Sequence, residues 1–207
     1  MSIETQLLST GDPDAISAAV KTLNLGNLIV LPTDTVYGLA CLVHNASAIE
    51  RLFAVKERSP QKAIAVLLSD VDQLGDVTEG LSASAKILGQ KFWPGALTLI
   101  VKKLASLPAE LSPTPTIGVR IPDHTFARSL LRLTGPLATT SANLSGNQNT
   151  QNAQEVLAQL NGRIHLVLDG GAVTGGVPST VVDCTVEPPV VLRAGAISSD
   201  QILSALS

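Results

Sequence analysis

The chain has 207 residues, 45% hydrophobic and 15% charged, with a formal net charge of −3, which suits one large domain that buries a core without metals or disulfides and does not read as disordered. Only 2% of residues are aromatic, so the core must be built from Leu, Val, Ile and Ala, and a module that stacks bases on aromatic rings is disfavoured. The acidic balance argues against broad attraction to a polyanion while leaving room for a local basic cleft.

In chain order, Asp12-Pro13 starts an amphipathic helix carrying Ile16, Ala19, Val20 and Leu23 on one face until Gly26. Leu28 to Leu31 is a buried strand closed by Pro32, and a polar motif loop follows. Ala46 to Val55 has helical spacing, Ala63 to Leu68 is an apolar strand run, and Ser82 to Phe92 is a helix stopped by Trp93-Pro94-Gly95. Strands are predicted at Ala96–Val101, Gly118–Ile121, Leu137–Thr140, Leu166–Leu168, Thr180–Asp183 and Val190–Leu192. Helices at Phe126–Leu133 and Ala153–Leu160 fall among them, the second with Asn152 and Glu155 spaced as a capping box. This interleaving predicts an α/β layer architecture whose sheet is partly antiparallel or mixed. Asn147–Asn152 and Gly170–Pro178 are expected to be mobile loops.

The N-terminus has no basic stretch leading into an apolar run, and no segment of about 18 apolar residues occurs, so a cytoplasmic protein without membrane contact is expected. Cys41 and Cys184 form no Cys-x-x-Cys pair and read as reduced, buried thiols. His44, His124 and His165 are scattered, which disfavours a His-rich metal site.

Common nucleotide-loop, zincin and nucleophile-elbow motifs are absent. Polar segments instead stand at the ends of predicted strands, where open α/β sheets bind ligands. Pro32-Thr33-Asp34-Thr35-Val36-Tyr37-Gly38-Leu39 offers two hydroxyls and a carboxylate, as a capped turn or as ligand contacts. Lys56, Arg58 and Lys62 gather at a helix C-terminus, where they either complement the helix dipole or clamp a polyphosphate. Arg120 stands inside an apolar run and must meet a specific anion, from the protein or from a ligand. Thr139 to Gly146 lines up hydroxyls and an amide, as a helix-capping turn or an anion cradle. Ser179-Thr180 and Arg193 repeat the theme. Cations and hydroxyls without a Ser–His or Cys–His pair fit chemistry done by positioning and charge stabilisation, of which adenylyl transfer is one kind.

These segments, with Pro94-Gly95-x-Leu97-Thr98, Gly118-Val119-Arg120-x-Pro122, Ser141-Ala142-Asn143-Leu144-Ser145-Gly146, Ser179-Thr180-Val181-Val182-Asp183 and Arg193-x-Gly195, occur in the order seen in the YrdC family. The chain resembles that family from about Leu28 to Gly195, and its end at Ser207 resembles the short form without an extra C-terminal domain. The resemblance implies a single domain over 1–207 with a twisted open mixed sheet flanked by helices, around a concave, positively charged groove. It implies an enzyme that joins L-threonine, bicarbonate and ATP into threonylcarbamoyl-AMP and releases pyrophosphate. A separate tRNA threonylcarbamoyl transferase complex would carry the group to adenosine 37 of tRNAs reading ANN codons. Mg²⁺ would be held by the nucleotide phosphates without a protein metal cage. Carried over onto matching positions, Thr33, Thr35, Arg120, Thr139 and Ser179 would hold threonine. Lys56, Arg58, Lys62, Thr116, Ser141, Asn143, Asn149 and Arg193 would surround ATP, with Lys56 and Arg58 acting on the leaving pyrophosphate. The chain departs from the usual pattern at Ser59, where Pro often stands, at Lys62-Ala63, in place of Asn-Pro, and at Leu67, where some longer members have His.

Three other readings compete. A paralogue of the YciO kind would share the fold without this role, and the intact Ser141–Gly146 run speaks against it. A double-stranded RNA or tRNA binding module would use the same groove, against an acidic pI of about 5.5. A carbamoyl-transfer domain of the hydrogenase-maturation type would bring zinc-finger and acylphosphatase parts that are missing here.

Overall fold

Side chains on successive strand residues point to opposite faces of a sheet, and this alternation sorts the apolar residues of the chain into two cores. In the computed structural model, residues 3–173 and 175–207 are described. They form one ten-stranded sheet from β1 (Gln6–Ser9), β2 (Ile29–Leu31), β3 (Gly38–Leu42), β4 (Ala65–Leu67), β5 (Leu97–Lys102), β6 (Thr116–Arg120), β7 (Leu137–Ser141), β8 (Leu166–Asp169), β9 (Thr180–Asp183) and β10 (Val190–Arg193). The spatial order is β1-β8-β2-β3-β7-β4-β6-β5-β9-β10. Parallel pairs (β1–β8, β2–β8, β4–β6, β5–β9) mix with antiparallel ones, including β2–β3, β3–β7, β5–β6 and β9–β10. The mixed sheet expected from the sequence is therefore present.

Six helices flank it: α1 (Ala15–Asn24), α2 (Ala46–Val55), α3 (Ala83–Phe92), α4 (Thr125–Thr134), α5 (Ala153–Leu160) and α6 (Ser199–Leu206). On one face Val30, Leu39, Val66, Leu99, Val119 and Val167 pack into a continuous core with Ile49 and Leu52 of α2, Leu88 of α3, Val156 of α5 and Ile202 of α6. On the other face Ile29, Leu31, Ala40, Leu67, Leu137 and Leu168 meet Ala19 and Leu23 of α1 and Leu130 and Leu131 of α4. That second core takes no residue from β5, β6 or β9. Among the described residues, this part of the face is left outside the helix-covered core, and the polar side chains of β5 and β6 emerge there.

The predicted bounds of α2, α5 and β9 coincide with the observed ones. Three elements differ for identifiable reasons. β3 has four consecutive buried residues and so no alternation, and its glycine start reads as loop. β1 is a four-residue edge strand held by parallel pairing to β8, a long-range contact invisible in local pattern. α6, for which no helix is predicted, is opened by a full capping box between Ser198 and Gln201. Conversely, the box expected at α5 is only half made: Asn152 accepts from Glu155 N at 2.9 Å, but the Glu155 carboxylate takes the Gln151 N–H and the Asn152 amide. α1 begins at Ala15 because residues 12–14 form a turn, with Asp14 N donating to Asp12 Oδ1.

Both cysteines are free and buried. Among the described residues no helix is long and apolar enough to cross a membrane. Of the two expected mobile loops, the second contains Thr174, which lies outside the described residues, and its neighbours are tied down by Gly176 N to Thr35 O and Val173 N to Gln151 O, both at 2.8 Å. Leu130 seals the smaller core and is fully buried; Leu130→Ala is expected to destabilise the fold by about 2–5 kcal/mol, read as a lower urea midpoint with an unchanged m-value.

Candidate functional site

The uncovered half of the sheet opens into a cavity of about 310 Å³. Its floor is kept low by small residues in register. Ala65 of β4 faces Gly118 of β6 on one side and Thr139 of β7 on the other, and Gly38 of β3 faces Ser141. A Cβ at Gly118 would stand 2.9 Å from Thr98 Cγ2, and one at Gly38 would stand 2.8 Å from Thr139 Cγ2. Three arginines, Arg58, Arg120 and Arg193, line the cavity, and no Asp or Glu is among the described lining residues.

Arg120 ends β6 with its side chain buried, and the anion its sequence position demands is Asp34. Its Nη2 donates to Asp34 Oδ1 at 2.6 Å, its Nη1 to Thr35 Oγ1 at 2.8 Å and its Nε to Gly95 O at 3.0 Å. A guanidinium has five N–H donors, so two have no acceptor among the described residues, and Arg120 lines the cavity. Asp34 is fixed in turn by the Asp123 N–H. Burial lowers the Arg120 pKa and Asp34 opposes that shift. Thr33 serves the turn itself: its hydroxyl donates to Val36 O at 2.6 Å and accepts from Thr35 N and Val36 N. The segment is thus a capped turn, and Thr33 and Thr35 also line the cavity.

The Lys-x-Arg pair is split by its backbone. α2 ends with Glu57 N bonding Ala54 O and Arg58 N bonding Phe53 O, the Schellman pattern that normally puts Gly at the left-handed position. Here Glu57 occupies it at φ 52°, and its carboxylate holds Arg163 at 2.8 Å. That reversal sends Lys56 inward and Arg58 into the cavity. Lys56 is 2% exposed, and its ammonium donates to Ser141 O, Asn143 O and Asn143 Oδ1. All three of its hydrogens secure the 141–147 loop. Burial, then the neighbouring Arg58, lowers the Lys56 pKa to about 8. Arg58 donates to Ala63 O, while its buried Nε has no partner among the described residues. Burial first, and Arg193 second, lower its pKa.

Of the residues singled out in the sequence, Thr33, Thr35, Arg58, Arg120, Thr139, Ser141, Asn149, Ser179 and Arg193 line one cavity. Four do not. Lys56 is not among the lining residues, and its ammonium is committed to the 141–147 loop. Asn143 sits beside it, its amide donating to Leu144 O and Asn147 O at 2.8 Å, which also makes it a loop-ordering residue. Lys62 is exposed and outside the cavity, because the 59–62 turn carries it away from the sheet. Thr116 shares the face of Gly118 and Arg120 but lies at the far end of β6, where it bonds Thr114 Oγ1. Two residues that shape the cavity, Asp34 as the counter-charge of Arg120 and Thr98 as a lining residue, have no individual role assigned from the sequence. The signal for Thr98 is a polar residue on the off-core face of an otherwise apolar strand, and that for Asp34 is a buried arginine needing a counter-charge.

Among the described residues no group of three or more His, Cys, Asp or Glu is placed to hold a metal ion. Lys56→Met would leave three loop oxygens without their donor and is expected to destabilise the fold by about 1–3 kcal/mol. The pH dependence has a definite sign. The folded chain releases the Lys56 proton near pH 8 and the unfolded chain only in the ordinary lysine range, so this group disfavours folding below pH 8 and that handicap fades as pH rises above it. The urea-midpoint difference between wild type and Lys56→Met should therefore widen from pH 8 to pH 10.

A family model named Sua5_yciO_yrdC, described as telomere recombination, matches residues 21–195. The threonylcarbamoyl-AMP synthase of Bacillus subtilis (strain 168) is 41% identical over 204 residues, covering 96% of this chain and 58% of that protein. The structure of P. abyssi Sua5 complexed with L-threonine matches with a TM-score of 0.91 at 31% identity, covering 100% of this chain and 61% of that one. E. coli YciO matches with a TM-score of 0.83 at 28% identity, covering 98% of this chain and 100% of its own. The chain spans less than two thirds of the length of the first two relatives. With the family match extending over far more than half of its residues, the chain belongs to the Sua5/YciO/YrdC family.

Proposed function

We propose that this chain is an L-threonylcarbamoyladenylate synthase, a nucleotidyltransferase of the cytoplasm that joins L-threonine, bicarbonate and ATP and releases pyrophosphate. Its product would feed a tRNA threonylcarbamoyl transferase complex, as the first step of N6-threonylcarbamoyladenosine formation at position 37 of tRNAs reading ANN codons. The observation that carries this reading is the pairing, in one cavity, of a half-committed buried Arg120 with two further arginines that have no carboxylate partner among the described residues, in a fold shared with a Sua5 bound to L-threonine.

The proposed chemistry follows from that arrangement. The two free N–H groups of Arg120 receive the threonine carboxylate, and Thr35, already bonded to Arg120, steadies the fork. The threonine amine attacks the carbon of CO₂, one C=O π bond opens onto oxygen and the nitrogen gives up a proton to solvent, leaving a carbamate; from bicarbonate the same product forms with loss of water. A carbamate oxygen then attacks the α-phosphorus of ATP, the bond from that phosphorus to the bridging oxygen breaks, and pyrophosphate leaves. Arg58 and Arg193 are assigned to the negative charge that accumulates on the leaving group, where they would act by fixed charge. Ser141 and Asn149 supply neutral contacts to the nucleotide, on a loop whose shape Lys56 and Asn143 maintain. Mg²⁺ is proposed to enter on the nucleotide phosphates, where it neutralises charge during phosphoryl chemistry.

Purified protein with ATP, Mg²⁺ and bicarbonate should release pyrophosphate only when L-threonine is added, with threonylcarbamoyl-AMP detected by mass. ATP binding without turnover would favour a YciO-type role, and salt-sensitive RNA binding without turnover a nucleic-acid role. Arg58 has one protein acceptor, Ala63 O, so Arg58→Ala should keep the urea midpoint and lower kcat by about a hundredfold or more; near-normal turnover would remove it from the mechanism.

A further inference from the structure

Thr98 lies on β5 beside the arginine end of the cavity. β5 and β6 pair Leu99 with Val119, and continuing that antiparallel register sets Thr98 opposite Arg120. Its hydroxyl is 2.7 Å from Ser179 Oγ, and both side chains line the cavity although both residues are about 5% exposed. Ser179 Oγ also accepts from Arg193 Nη2 at 3.2 Å.

The hydrogens on this pair can be counted. Two hydroxyls have two hydrogens, and one is shared between Thr98 and Ser179. The second has no acceptor among the described residues, and the pair keeps an unfilled lone pair as well. A buried donor left unsatisfied is destabilising by about 1–3 kcal/mol, and here the open direction is the cavity. A group that both donates and accepts complements another hydroxyl. A carboxylate only accepts, and its partner is Arg120, whose two uncommitted N–H groups suit two oxygens.

We propose that Thr98 is a specificity-determining residue of this site: with Ser179 it reads the side-chain hydroxyl of the bound amino acid. The inference rests on the synthase reading above and deepens it. An amino acid lacking the hydroxyl leaves the Thr98–Ser179 pair with an orphaned O–H, and sites built to bond a substrate hydroxyl reject analogues without one for this reason. Arg193 couples the pair to the polyphosphate end, because its hydrogen bond to Ser179 Oγ polarises that hydroxyl as a donor.

The test compares kcat/KM for L-threonine and L-2-aminobutyrate, its deoxy analogue, in wild type, Thr98→Val and Thr98→Ser. Valine keeps the shape and the strand propensity of threonine. The threonine-to-aminobutyrate ratio should fall about tenfold in Thr98→Val, through the KM for the amino acid and not through that for ATP, and serine should restore it. Ser179→Ala removes the other half of the pair and should lower the same ratio, so the test does not hang on one variant folding. An unchanged ratio in both Thr98→Val and Ser179→Ala, with normal threonine turnover in wild type, would overturn the role of Thr98 alone. Absence of threonine-dependent turnover in wild type would overturn the synthase reading and this inference together.

Discussion

A sheet face that is covered by helices over only half its width has to resolve two demands at once. The covered half excludes water with Leu, Ile and Ala from α1, α4 and five strands. The open half cannot be apolar without becoming an exposed hydrophobic patch, and it cannot carry unpaired charge without a desolvation penalty. The chain meets both demands by alternating residues on β5 and β6, whose core-facing positions include Leu97, Leu99, Ile117 and Val119 and whose open positions include Thr98, Gly118 and Arg120. The cavity is therefore a consequence of where α1 and α4 stop, and its polar lining is the other side of the same strands that build the main core.

Within that frame the three arginines are held to different degrees. Arg120 is fixed by three protein acceptors, one of them a carboxylate. Arg193 leans on the Ser179 carbonyl and hydroxyl. Arg58 has one carbonyl and an unpartnered Nε. Preorganisation is greatest at Arg120 and least at Arg58, which matches the geometric demands of the small amino acid and the flexible polyphosphate proposed for the two ends of the site.

Much of this was legible in the sequence and some of it could not be. The position of Arg120 in an apolar run announced a buried charge, and the segment holding its partner was on view as Pro32-Thr33-Asp34-Thr35, but nothing local says that residues 86 positions apart meet. Lys56 and Arg58 look equivalent as a cation pair on a helix end. Their opposite fates are decided by one left-handed residue between them, at a glutamate where propensity would suggest glycine. β3 escaped because a strand buried on both sides has no period to detect, and Lys62 was drawn into the site by proximity in sequence that the 59–62 turn undoes.

The lining residues come from Thr33 at one end of the chain to Arg193 near the other, carried by seven of the ten strands or the loops that adjoin them. No short stretch of the chain holds even two of the three arginines in working relation. Bringing together contacts so far apart in sequence is slow, and its closure entropy must be met before any ligand contact exists. The site is thus a late product of assembly: a partly folded chain has no weak version of it to offer, and any ligand that fits the cavity stabilises the completed fold as a whole.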